Sequence, residues 1–174
     1  MNRNSRLNLF FSCCLIAGFV SSATSQQLDL WQGAKRISLL TSTESDVINV
    51  FGKPKSSEDR FWWEYQTEFE QLYVEYSRGP CKLPNNQGWR VAEGVVTRLF
   101  YAPKERRKPS YFGLKSRKFS KKEVSDAPGN FVFDSGIRGI SFGVRRDGTV
   151  EDILLYPSEK FDNLRCGQDQ RSTK

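Results

Sequence analysis

Apolar and polar positions along this chain change period several times, and each change marks an expected element. Thr43, Glu44, Ser45 and Asp46 precede the run Val47-Ile48-Asn49-Val50-Phe51, which stops at Gly52 with Pro54 beyond. A hydroxyl N-cap, acids in the first turn and a glycine stop predict a short helix. Two runs follow, Phe61 to Tyr65 and Leu72 to Tyr76, aromatic and β-branched with acids interleaved. A polar break from Gln66 to Glu70 separates them, so they predict a hairpin. Gly79, Pro80 and Cys81 close it, a polar loop extends through Gly88, and Val95 to Tyr101 predicts a third strand ending at Pro103.

The pattern then recurs more faintly. Ser120 and Glu123 have capping-box spacing, which predicts a second helix start. Phe131 to Phe133 and Ile140 to Val144 read as strands, Asp147-Gly148 as a turn, and Val150 to Tyr156 as the last strand. Gly94, Val96, Leu99, Phe100 and Pro103 align without a gap on Gly148, Val150, Ile153, Leu154 and Pro157. This alignment predicts two tandem units, each a short helix plus three strands, over about 31–103 and 115–157. A strand that leaves a turn and ends at proline would give the same match without duplication. The expected fold is one α+β domain over 24–166, an antiparallel sheet of about six strands with short helices on one face.

The N-terminus changes the picture of location. Arg3 and Arg6 precede an apolar run from Leu7 to Val20, and the small residues Ser21, Ser22 and Ala23 follow. This is the order of a signal peptide, expected at 1–23, with cleavage after Ala23 or, as second choice, after Ser25. Ser12-Cys13 gives a weaker lipoprotein alternative, because Phe10 and Phe11 are too bulky for the usual lipobox. The run is short of the roughly 18 to 20 residues of a spanning helix, and no second hydrophobic stretch follows. The expected product is exported, periplasmic or secreted, with no transmembrane span after signal removal. Residues 167–174 carry no apolar side chain and are expected to be a disordered tail.

Removing Arg3 and Arg6, with no acid alongside them, takes the formal charge from +7 to +5. Cys13 and Cys14 would leave with the signal, and the remaining Cys81 and Cys166 are expected to pair in an oxidising compartment. The chain has no histidine, which excludes a histidine-based triad, a histidine general base and histidine-ligated metals. No cofactor is expected.

Several sequence pieces carry a resemblance. They are Trp31-Gln32-Gly33, Leu40 to Val47 running to Phe51-Gly52-Lys53-Pro54, Tyr76-Ser77-Arg78-Gly79-Pro80-Cys81, and Leu164-Arg165-Cys166. Together they resemble an uncharacterised family of exported bacterial proteins with a tryptophan-glycine opening and a closing leucine-arginine-cysteine. The chain departs from that pattern by extra residues between Gly33 and Leu40 and by Phe51 where leucine is usual. More distantly, a helix stopped by Gly-x-Pro before a meander resembles the BamE-like lipoprotein domain, and its tandem form the β-lactamase-inhibitor protein. Those resemblances imply a protein-binding role and bring no catalytic residue.

Candidate chemistry is correspondingly sparse. Trp62 and Trp63 are adjacent on one strand and point to opposite faces; if Trp63 faces inward with Phe61 and Tyr65, Trp62 is the residue left for a partner. Lys104, Arg106, Arg107 and Lys108 open a block running to Lys122 with nine basic residues and one acid. That block reads as a solvated linker or as a binder of anionic envelope material. Glu64, Glu68, Glu70 and Glu75 cluster near the hairpin, and Glu64 with Glu75 is the best pair for a carboxylate hydrolase; alternation makes them the solvated face of a sheet. The first expectation is an exported non-enzymatic module that binds an envelope protein. The alternative is a binder of carbohydrate or anionic material through Trp62 or the 104–122 segment, with a hydrolase third and nucleic acid unlikely as a partner.

Overall fold

The structure, a computed structural model, describes residues 29–83 and 88–167. The expected signal segment and all of the expected tail except Gly167 lie outside those residues. Eight strands form one antiparallel sheet: β1 Ser56–Asp59, β2 Trp62–Gln66, β3 Glu70–Tyr76, β4 Val96–Pro103, β5 Ser120–Glu123, β6 Phe131–Ser135, β7 Ile140–Val144 and β8 Val150–Leu155. Their order is β1-β2-β3-β4-β8-β7-β6-β5. Among the described residues two α-helices, α1 Leu30–Ala34 and α2 Glu44–Phe51, precede them.

The architecture is therefore mostly β, which overturns the expected α+β domain of about six strands with helices on one face. The two additional strands, β1 and β5, are the outermost of the sheet. Both are short and polar, so no alternation in sequence announces them, and pairing with the open edges of β2 and β6 orders them. Ser120–Glu123, expected to start a helix, is β5. Capping-box spacing needs an apolar-periodic run behind it, whereas Asp126, Ala127, Pro128 and Gly129 follow here. The expected helix-plus-three-strand units are thus replaced by two four-stranded halves, only the first of which carries α-helices.

The two halves have matching registers. In both, the third and fourth strands slip at a bulge: Glu75 pairs with Arg98 but Tyr76 with Val96, and Gly143 pairs with Asp152 but Val144 with Val150. Each bulge leaves one extra residue, Thr97 or Glu151, at the same place in its half. The halves join where Phe100 pairs with Leu154, flanked by Leu99 with Leu155 and Tyr101 with Ile153. One row across the sheet consequently reads Ser56, Glu64, Tyr73, Phe100, then Leu154, Ser141, Asp134, Ser120.

The core lies on the other, inner face. Trp63, Tyr65, Leu72, Val74, Leu99 and Tyr101 from the first half and Phe142, Val144 and Ile153 from the second are buried there. Asp46 accepts from both the Thr43 N–H and the Thr43 hydroxyl at the start of α2, at 2.8 and 3.0 Å. The helix ends at Gly52, whose φ is +77°. Gly33 in α1 lies so close to α2 that a Cβ there would stand 2.3 Å from a Phe51 ring carbon. The tryptophan-glycine opening is thereby explained, since Gly33 admits Phe51 and Trp31 fills the core beside Tyr101.

Residues 104–119 connect β4 to β5, and they are not the solvated linker that their charge implied. Phe112 and Leu114 are buried, and the Phe112 ring packs edge-on against Trp31 and Tyr101 with centroids 5.6 and 5.7 Å away. The Arg107 carbonyl accepts the Val150 N–H at 2.8 Å, fixing the crossover to the first residue of β8. Apolar residues interleaved with the cations thus roof the inner face where the two halves meet.

Candidate functional site

Alternation on β2, β3 and β4 places Trp62, Glu64, Gln71, Tyr73, Glu75, Arg98 and Phe100 on the outer face, opposite the core. Helices α1 and α2 pack on the inner side, and on the outer face Trp62 and Arg98 stay exposed while Tyr73, Glu75 and Phe100 are half-buried. Trp62 stacks on Tyr73 across the hairpin with centroids 6.0 Å apart and planes at 29°, and Tyr73 in turn meets Phe100 at 6.1 Å. The three rings form a ladder over three strands, and half-buried Leu154 continues it onto β8. Trp63 is buried whereas Trp62 is 39% exposed.

Three adjoining hollows follow the ladder. The outermost, about 430 Å³, is lined by Ser56, Asp59, Trp62, Glu64 and Tyr73. A small one of about 110 Å³ shares Asp59 and Trp62 with it and reaches Glu75, Thr97 and Trp89. The third, about 490 Å³, continues over Arg98, Ser141 and Leu154 to Asp134, Tyr156 and Arg165. Together they make a trough that crosses the outer face from β1 to β6.

The disulfide is one wall of that trough. Cys81 and Cys166 are bonded, with Cα atoms 5.5 Å apart. Around them the Cys81 N–H donates to the Trp89 carbonyl, the Arg90 N–H to Leu164 and the Cys166 N–H to Gly88, at 3.3, 2.7 and 2.9 Å. The Arg165 guanidinium lies 4.8 Å from the Trp89 ring centre. Buried Ser77 organises the turn before Cys81: its hydroxyl accepts the Gly79 N–H at 3.0 Å while its backbone bonds Val95 and Gly94. The tyrosine-serine-x-glycine-proline-cysteine and leucine-arginine-cysteine segments, distant in sequence, therefore meet at one rim.

The polar groups of the trough are mostly matched. Arg98 faces Glu75 at 3.3 Å, and Tyr156 donates to Asp134 at 2.6 Å. Burial, then the Asp134 bond, push the Tyr156 hydroxyl well above its ordinary pKa. Outside the lining of these hollows, burial also raises the Asp152 carboxyl, opposed by the Gly143 N–H that it accepts at 3.1 Å. Glu64 accepts from the Gln71 amide at 2.9 Å, and the same amide donates to the Tyr73 hydroxyl.

The sequence candidates thus divide. Trp62 and Glu64 share one hollow, and Glu75 sits diagonally from Glu64, across from Trp62. Glu70 is structural, because its two oxygens accept the Leu30 N–H and the Tyr101 hydroxyl, at 2.7 and 2.8 Å, and so fix the start of α1 to the sheet. The four cations of the crossover lie away from the trough and have partners of their own. Lys104 donates to the Thr67 carbonyl and Lys108 to the Asp147 carbonyl, both at 2.6 Å. Arg106 pairs with Asp147 at 3.1 Å, and Arg107 pairs with Glu105 and lies 4.8 Å from the Tyr111 ring centre. Tyr73, Trp89, Arg98, Asp134 and Tyr156 were not singled out in the sequence. Alternation carried the signal for Tyr73 and Arg98, whereas Trp89 lies at the end of a loop without periodicity.

No family model, no curated protein and no solved structure matches the chain. Among the described residues no helix is long and apolar enough to cross a membrane.

Proposed function

We propose that this chain is an exported, non-enzymatic binding protein that docks a partner protein of the envelope or secreted space on the outer face of its sheet. The observation that carries this reading is the open aromatic ladder Trp62–Tyr73–Phe100, set in a trough whose rim is closed by the disulfide. Flat aromatic rings on a rigid sheet offer large contact area with little conformational entropy to lose, the usual composition of a binding hot spot. The disulfide and the signal-like N-terminus support export. The engagement of Lys104, Arg106, Arg107 and Lys108 within the fold favours this face over the basic crossover as the binding surface.

A photocrosslinking side chain at position 62, introduced in the producing cell, tests the proposal. The expected result is one adduct of reproducible mass that is absent when the crosslinker replaces exposed Lys160. Absence of any adduct specific to position 62 would remove the proposal. A second reading, carbohydrate binding, draws on the exposed Trp62 face alone, since such faces stack on sugar rings.

A further inference from the structure

The outermost hollow has an unusual lining for a basic protein. Its walls are two stacked aromatic rings, Trp62 and Tyr73, the carboxylates of Asp59 and Glu64, and Ser56. Among the described residues no cation lines it, although the chain carries a formal charge of +7. Asp59 is already occupied: it pairs with Arg78 at 3.0 Å and accepts the Phe61 N–H at 2.9 Å. Glu64 takes part in none of the ion pairs among the described residues. The nearby Lys55 ammonium is turned to the Gln66 side chain. One Glu64 oxygen accepts from Gln71, and that amide, by also holding the Tyr73 hydroxyl, fixes the carboxylate beside the rings.

We propose that this hollow is an arginine-recognition pocket, which takes an arginine side chain of the partner protein. The guanidinium stacks on the open Trp62 face while its N–H groups donate to the Glu64 carboxylate. Both halves of the contact suit arginine: the planar cation is weakly hydrated, stacks on aromatic faces and presents parallel N–H groups to a carboxylate. The matching position in the second half supports this by contrast. There the acid is kept as Asp134, but Ser141 stands in place of Tyr73 and Val132 in place of Trp62, and Asp134 is held by Tyr156. The complete pairing of rings with an acid free of ion pairs therefore occurs in the first half only. The inference rests on the docking proposal above in assigning the arginine to a protein.

The test uses the disulfide-closed protein as exported, observed by amide and indole NMR. The probes are acetyl-Gly-Arg-Gly-amide, its glutamine counterpart as a neutral control, and cellotetraose as a neutral sugar. The arginine peptide is expected to shift the Trp62 indole and Gln71 side-chain signals saturably, and the glutamine peptide to leave them in place. Glu64→Gln should weaken the arginine response by about fivefold or more, because the charge-assisted half of the contact is lost. Trp62→Ala should abolish the Gln71 response, and the amide spectrum of each variant reports whether it is folded. Equal shifts with the arginine and glutamine peptides, a response untouched by Glu64→Gln, or a response to cellotetraose alone would each overturn the assignment. If position 62 crosslinks a partner whose binding ignores Glu64→Gln, the docking proposal stands and the arginine pocket falls. If the arginine peptide binds as expected but position 62 crosslinks nothing, the pocket stands and the docking proposal falls.

Discussion

Removal of the Cys81–Cys166 bridge is the perturbation whose magnitude follows most directly from the fold. The two residues are 85 apart in sequence, so the bridge closes most of the sheet into a single loop. Loop-closure entropy for such a loop gives about 4.6 kcal/mol at 25 °C, all from restriction of the unfolded chain. For about 140 ordered residues the entropy of unfolding is about 0.3 kcal/mol/K, so this loss corresponds to a fall in Tm of about 15 °C. Total stabilities of about 5 to 15 kcal/mol leave the doubly substituted Cys81→Ala, Cys166→Ala protein marginal or unfolded. Urea unfolding of both forms measures the effect, and it should show a second signature. A chain freed of its crosslink exposes more surface when unfolded, so the m-value should rise as the midpoint falls. A loss under about 1 kcal/mol with an unchanged m-value would refute the reasoning, because the crosslink would then not restrict the denatured ensemble.

Two further outcomes separate the packed crossover from a solvated linker. Phe112→Ala removes a buried ring wedged between Trp31 and Tyr101 and should cost about 3 to 5 kcal/mol by urea unfolding; a loss under about 1 kcal/mol would mean that the segment does not roof the core. Asp147 accepts from the Thr149 hydroxyl and N–H at 2.5 and 2.9 Å, and these bonds, with Arg106 and Lys108 nearby, hold its carboxyl below its ordinary pKa of 3.8. A depressed folded pKa contributes stability that is complete above the unfolded value and is lost as pH falls through the folded one. Asp147→Asn should therefore lower the urea midpoint at pH 7 and flatten its decline below about pH 4; parallel pH profiles for the two proteins would contradict this.

Elements with a strong local signal were legible in the sequence. Thr43, Asp46 and Gly52 marked both ends of α2, and the aromatic alternation of Trp62 to Tyr76 marked a hairpin that the structure contains. The outer strands β1 and β5 were not, for a physical reason. Residues such as Ser56, Ser57, Lys121 and Lys122 bury little, and the order of these strands comes from the open edges of β2 and β6. Helix α1 is five residues long and is capped locally by Asp29, but its anchor to the sheet is Glu70, forty residues away, which no local pattern reports. The 104–119 segment misled in the opposite direction. Its nine-to-one charge balance through Lys122 concealed Phe112 and Leu114, and only tertiary contact shows that these two decide where the segment lies.

The site was legible one residue at a time and illegible as a constellation, because register brings its members together. Period-two alternation assigns Trp62 and Glu64 to one face and Tyr73 and Glu75 to one face, but it leaves open which residue stands opposite which. With Glu64 opposite Tyr73, Trp62 lies diagonal to Tyr73 and the rings can stack beside the acid. A slip by one residue would have moved Tyr73 into the core and Val74 outward, leaving a carboxylate with no ring beside it. The polar break from Gln66 to Glu70 fixes that register: the Thr67 N–H donates to the Glu70 carbonyl at 2.9 Å, and the Thr67 hydroxyl accepts the Glu70 N–H at 3.0 Å. Glu70 is then the residue whose carboxylate anchors α1 and Tyr101 on the opposite face. The same turn therefore sets the pairing that builds the outer hollow and the contact that closes the inner core. A substitution at Thr67 that loosens the turn should disturb both faces, even though Thr67 does not line the outer hollow.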